Sequence, residues 1–247
     1  MATIKRKIKH RGDEMKVTYS PLGDSAIVIE VADAITPEAQ KKVRILSSFF
    51  DKCPPSWMIE YIPAFTTVTI FYDPLKITRH ALQPYGAVCM KLDTMLSAIH
   101  EEVESASRTI EIPVCYGGDF GPDLQFVADH NGLLPEDVID IHTAGEYSVN
   151  MIGFAPGFPF VGGMSEKIAT PRRDSPRLAI PERTVGIAGM QTGIYPIETP
   201  GGWQLIGRTP IRLFRPEEEP PSLLRAGDKL VFRAISLEEY NGWEEDN

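Results

Sequence analysis

The sequence has only three cysteines, Cys53, Cys89 and Cys115, odd in number and far apart. No Cys-x-x-Cys pair exists, and His10, His80, His100, His130 and His142 are scattered as well. These gaps argue against a disulfide framework and against a zinc site, so no metal is expected. No apolar run approaches the roughly 20 residues of a membrane span. The N-terminal MATIKRKIKHRGDE is basic but lacks the apolar stretch of a signal peptide, and residues 1–14 read as a flexible extension. With reduced thiols and no export signal, the cytoplasm is the expected compartment and no membrane partner is expected. A net charge of −9 argues against nucleic acid as a partner. No Ser-His-Asp arrangement, no phosphate-binding Gly-x-x-x-x-Gly-Lys loop, no kinase signature and no internal repeat is visible.

What is abundant is glycine and proline in one place. Between Met151 and Pro210, ten of 60 residues are Gly and eight are Pro. Glycine permits backbone conformations that a Cβ forbids, and proline fixes φ and removes a donor. Interleaved with apolar residues, they predict short strands joined by specified turns. The same stretch holds six Arg or Lys against four acids, so it is locally +2 in a chain whose remainder is −11. That asymmetry suits a small anionic ligand as well as it suits solvated arginines.

The order of elements predicts two domains in an α+β chain. Residues 15–107 read as a small α/β sandwich: a strand over Ser25–Val31, a helix opened by Thr36-Pro37 with Val43, Leu46 and Phe50 on one face, strands over Trp57–Ile62 and Thr66–Tyr72, and a helix from Pro84 to about Ser105. The boundary falls between Ser105 and Arg108. Residues 108–247 read as a β-barrel. Its strands are expected over Thr109–Tyr116, Tyr147–Phe154, Arg177–Ile180, Val185–Gly189, Gly193–Ile197, Trp203–Ile206, Ile211–Phe214 and Lys229–Ile235, with a capping box at Ser236–Glu239.

Several segments could carry chemistry. Gly153-Phe154-Ala155-Pro156-Gly157-Phe158-Pro159-Phe160 is either an apolar wall with exposed amides or a barrel corner with buried phenylalanines. Arg172, Arg173 and Arg177 sit among prolines, where guanidinium groups could grip a carboxylate or phosphate, or merely pair with Asp174. Gln191 and Tyr195 suit recognition of an amide, and Trp203 is either a ligand floor or core. His142, with Glu146 nearby, could be a general acid/base pair or a histidine favoured by its helix C-terminus.

Taken together, the motifs resemble one family. They include Leu22-Gly23-Asp24-Ser25, Ile62-Pro63-Ala64-Phe65-Thr66-Thr67, Gly153-Phe154-Ala155-Pro156-Gly157-Phe158, Ser175-Pro176-Arg177, Val185-Gly186-Ile187-Ala188-Gly189, Gln191-Thr192-Gly193-Ile194-Tyr195-Pro196 and Thr199-Pro200-Gly201-Gly202-Trp203. The family is that of the 5-oxoprolinase B subunit, which also carries the label allophanate hydrolase subunit 1, and the likeness runs from about Val17 to Ile235. The phrase Val114-Cys115-Tyr116-Gly117-Gly118-Asp119 resembles its Bacillus, KipI-type branch, which inhibits a sporulation histidine kinase. The resemblance implies a cyclophilin-like barrel, the 5-oxoprolinase C and A subunits as partners, and ATP used at the level of the complex to open 5-oxoproline to glutamate. It implies a non-autonomous subunit, with a kinase-binding inhibitor as the alternative. Carried onto this chain, the matching polar positions are His142, Glu146, Arg172, Arg177, Gln191, Tyr195 and Arg208, and the matching aromatics are Phe154, Phe158 and Trp203. The role of each is an expectation: His142 and Glu146 for protons, the other polar residues for substrate, the aromatics for pocket or partner. One departure stands out, since Pro181-Glu182-Arg183-Thr184 replaces the family's Pro-x-Gly-Ser.

Overall fold

A computed structural model describes residues 3–10, 13–77, 83–99 and 108–245. The chain divides into two compact units, Met1–Ala106 and Ser107–Asn247. The expected boundary at Ser105–Arg108 lies mostly outside the described residues.

The first unit contains β1 (Ile4–His10), β2 (Asp13–Leu22), β3 (Ala26–Glu30), α1 (Pro37–Lys52), β4 (Met58–Pro63), β5 (Thr67–Tyr72), α2 (Pro74–Ile77) and α3 (Pro84–Ser97). The strands form an antiparallel sheet in the order β1-β2-β3-β5-β4. Alternation sets its buried face: Val17 and Tyr19, Ile27 and Ile29, Val68 and Ile70 all point into one core. The helices supply the other half. The Thr36 hydroxyl accepts the Ala39 amide proton at 3.1 Å and starts α1, which then buries Ala39, Val43, Leu46 and Phe50. In α3 the buried set is Tyr85, Val88, Cys89, Leu92 and Leu96.

The N-terminal segment is a correction to the sequence reading. Ile4–His10 is not a loose extension but an edge strand paired along its length with β2. Its basic residues hid a period of two: Lys5 and Lys7 face out while Ile4 and Arg6 are half-buried, and Arg6 Nε meets Asp93 at 2.9 Å.

The second unit contains β6 (Thr109–Tyr116), α4 (Leu124–Asn131), α5 (Pro135–Thr143), β7 (Tyr147–Ile152), β8 (Pro159–Gly162), β9 (Arg177–Ile180), β10 (Thr184–Ala188), β11 (Gln191–Ile194), β12 (Thr199–Gly201), β13 (Gln204–Arg208), β14 (Lys229–Ala234) and α6 (Leu237–Glu245). Seven strands close a barrel in the order β10-β11-β8-β7-β14-β6-β13, with β13 pairing back onto β10. The α+β class and the C-terminal barrel are as the sequence led one to expect. The parallel pair, β6 with β14, is fastened at its start where Arg108 grips the buried Asp228 with two nitrogens. Strands β9 and β12 form a separate two-stranded ribbon. Ile211–Phe214 is not a strand; its β feature is a bridge from Phe214 to Ser222. Ser236 and Glu239 exchange side-chain bonds to each other's amides at 3.1 and 3.0 Å and open α6.

Candidate functional site

The turn after β7 sets the centre of the first candidate site. The Gly153 amide donates to the Phe158 carbonyl and the Phe158 amide to the Ala155 carbonyl, each at 3.0 Å, closing a tight loop. Within it Phe154 takes φ 71 and is 67% exposed. A non-glycine residue in the left-handed region costs on the order of 1 kcal/mol or more, and such strain gathers at functional sites. Phe158 lies at the hub of an aromatic cluster: Phe160, Phe154, Tyr195 and Trp203 surround it at ring distances of 5.2, 5.3, 5.4 and 5.6 Å, all steeply inclined.

This cluster floors a hollow of about 260 Å³, closed at the sides by Pro176, Pro200 and Arg172. Gly201 is required beside it, because a Cβ there would lie 2.4 Å from the Tyr195 hydroxyl and 2.8 Å from Ile180 Cδ1. Burial pushes the Tyr195 phenol up to about 12, although the Arg172 and Arg177 cations pull the other way. The hydroxyl therefore stays protonated at neutral pH and can donate a hydrogen bond. Arg172 is exposed and forms no hydrogen bond or ion pair with any described residue.

Arg177 and Arg208 are not in this hollow. They line a second one, of about 220 Å³, formed by the turn after β6, by β9 and by β13. Arg177 is already committed: its Nη2 lies 2.8 Å from Asp123 Oδ1, an oxygen that Arg173 also reaches at 3.3 Å. The other Asp123 oxygen accepts the Leu205 amide at 2.7 Å. Asp123 is 6% exposed, so this buried carboxylate organises the arginine segment. The sequence reading missed it and named Asp174 instead. No local spacing could have found it, because the partners are some fifty residues apart.

His142 and Glu146 do not form the expected pair. His142 is 0% exposed inside the barrel, while Glu146 lies on the surface. The ring nitrogens of His142 are both occupied, Nδ1 by the Tyr116 hydroxyl at 2.7 Å and Nε2 by the Thr192 hydroxyl at 2.9 Å. Thr192 donates its own proton to the Gly186 carbonyl at 3.1 Å. Nε2 must then carry hydrogen, and Nδ1 accepts from Tyr116. Burial lowers the His142 pKa to about 3, in keeping with a neutral ring. A histidine so enclosed has no access to a substrate proton. Gln191 also lies elsewhere, at the start of β11 opposite Ala188, and lines neither hollow. Among the described residues, no group of three or more His, Cys, Asp or Glu could hold a metal ion.

The barrel and its glycine-rich turns place the chain among known proteins. It belongs to the family described as carboxyltransferase domain, subdomain C and D, whose model matches residues 17–224. Over 239 residues it is 52% identical to the B subunit of 5-oxoprolinase from Bacillus subtilis (strain 168), covering 94% of this chain and all of that one. The corresponding 5-oxoprolinase B subunit of Escherichia coli O157:H7 is 41% identical over 212 residues, 85% of this chain and 93% of its own. Among solved structures, TTHA0988 superposes with a TM-score of 0.73 at 32% identity. That match covers 85% of this chain but only 40% of TTHA0988, so this chain spans less than half of that protein's length.

Proposed function

We propose that the chain is the B subunit of an ATP-dependent 5-oxoprolinase, and that the aromatic hollow receives the lactam ring of 5-oxoproline. The observation that carries this reading is Arg172, a guanidinium without a partner among the described residues, on the rim of an apolar, aromatic-floored hollow. The recess backed by Phe158 and Trp203 and bordered by the exposed Phe154 suits a small five-membered lactam ring. The substrate carboxylate suits the two-pronged guanidinium, and the protonated Tyr195 hydroxyl suits the amide carbonyl. Likeness to the B. subtilis and E. coli proteins supports the same reading. In this view the chain binds and orients substrate but is not an enzyme alone. The 5-oxoprolinase A and C subunits complete the complex in the cytoplasm.

The sequence shows no Gly-x-x-x-x-Gly-Lys phosphate loop. Nucleotide handling is therefore assigned to the rest of the complex. The A, B and C subunits, co-expressed, are expected to release glutamate and ADP from 5-oxoproline. Arg172→Ala should lower turnover on the order of a hundredfold, through lost orientation of the substrate, while the complex still assembles on a sizing column. Unchanged turnover would remove Arg172 from the site.

The exposed Phe154 favours a second reading, a KipI-type inhibitor that docks on a sporulation histidine kinase through this rim. The purified protein should then slow kinase autophosphorylation, and Phe154→Ala should relieve the effect. No binding at micromolar concentration would count against it.

A further inference from the structure

The second hollow contains a cation whose surroundings fit it for a ligand. Arg208 Nε donates to the Glu182 carbonyl at 3.2 Å, and its guanidinium carbon lies 5.7 Å from the Phe120 ring centroid. No carboxylate among the described residues pairs with it. Glu182 directs its side chain to Arg183, at 3.7 Å, and Asp123 is taken by Arg173 and Arg177. The two terminal nitrogens of Arg208 are left without an acceptor among the described residues.

A freely moving surface arginine presents no fixed geometry. Here the Nε bond and the ring set the plane of the guanidinium, so its outer N–H groups are pre-oriented for a two-oxygen partner. Counting Arg208 itself, the arginines Arg173, Arg177 and Arg208 outnumber the acids Asp123 and Asp119 by one charge at the hollow. The facing wall is rigid. A Cβ on Gly121 would lie 2.1 Å from the Ile206 carbonyl oxygen, so the turn carrying Asp119 and Phe120 is packed directly onto β13.

We infer that this hollow is a second ligand site, separate from the aromatic one, in which Arg208 takes a small oxyanion, a carboxylate or a phosphate. Its volume of about 220 Å³ admits a molecule of that size. Asp119 lines the same space and adds an acceptor, so a ligand with a donor nitrogen near its oxyanion is held at both ends. The inference does not rest on the lactam reading, since turnover at Arg172 and anion binding at Arg208 are measured independently.

The test uses the full chain, ¹⁵N-labelled and titrated with sodium phosphate or with sodium glutamate at ionic strength fixed with sodium chloride. The readout is the Arg208 Nε–H signal, assigned by its disappearance in Arg208→Gln. A saturable shift with at least one of the two anions is expected. Glutamate acting alone identifies a carboxylate site, and phosphate acting alone identifies a phosphate site. Arg208→Lys keeps the charge without the fork. It should weaken binding, followed by the Phe120 and Gly121 amides, on the order of tenfold at an unchanged thermal midpoint. Arg172→Gln should leave binding as it was. The inference is overturned if neither anion moves the Arg208 signal beyond the chloride control, if Arg208→Lys binds as tightly as the parent, or if Arg172→Gln abolishes the effect.

Discussion

Two regions of the barrel unit are built from the same residue types and do opposite things. Around His142, Tyr116, Tyr147 and Phe232 enclose a polar group whose every bond is made inside the protein. Around the hollow, the buried rings of Phe158, Tyr195 and Trp203 back a recess whose exposed rim carries Phe154 and an Arg172 that is unpartnered among the described residues. The sequence offered both a histidine and arginines as chemical groups. Access divides them: satisfied polar groups in a closed interior stabilise, and unsatisfied ones at an opening bind.

The largest expected effect lies at the closed region. His142→Ala would leave a cavity and strand the hydroxyl of Tyr116, costing about 3–5 kcal/mol in urea unfolding. A cost below about 1 kcal/mol would mean that the interior is not closed. Asp123→Asn separates the two regions from the other side. It leaves Arg173 and Arg177, both partly exposed, without their shared anion, and should cost about 2 kcal/mol. Such a loss, with ordered Phe158 and Trp203 signals retained, would place the arginine anchor apart from the aromatic floor.

Protonation gives a third contrast. The folded His142 pKa is near 3, whereas the unfolded chain titrates near the ordinary 6.5. Below 6.5 the unfolded state therefore binds a proton that the folded state refuses. Stability should be flat above that pH on this account and fall by about 1.4 kcal/mol for each unit below it, down to about pH 3. His142→Gln should flatten that slope; an equally steep slope in the variant would assign the acid sensitivity to other groups. The smallest effect belongs to the rim. Phe154→Gly relieves φ 71 and loses little buried area, so thermal unfolding should show between no change and about 1 kcal/mol of stabilisation. A clear destabilisation would show that the exposed ring supports the cluster after all.

Position 183 shows how a local departure is absorbed. Arg183, in the Pro181-Glu182-Arg183-Thr184 turn, takes a left-handed φ of 69. Its amide bonds to the Tyr195 carbonyl, its carbonyl accepts from Thr209, and its guanidinium donates to the Pro210 carbonyl at 3.3 Å, so both backbone and side chain tie the turn to neighbouring segments.

By itself, the sequence determined the element types that depend on neighbours in the chain. The apolar spacing of α1, the cap at Thr36, the alternation of β5 and the capping box at Ser236 all act over a few residues, and the glycine–proline stretch announced specified turns. It did not reveal β1, whose alternation was masked by lysines, nor did it say which arginine was free. Only the tertiary structure decided that Asp123 claims Arg177, that Tyr116 and Thr192 claim His142, and that Arg172 and Arg208 open onto different hollows. Those outcomes depend on which distant partners the closed barrel brings within hydrogen-bonding range, and burial then fixes whether a polar group is spent on the fold or left for a ligand.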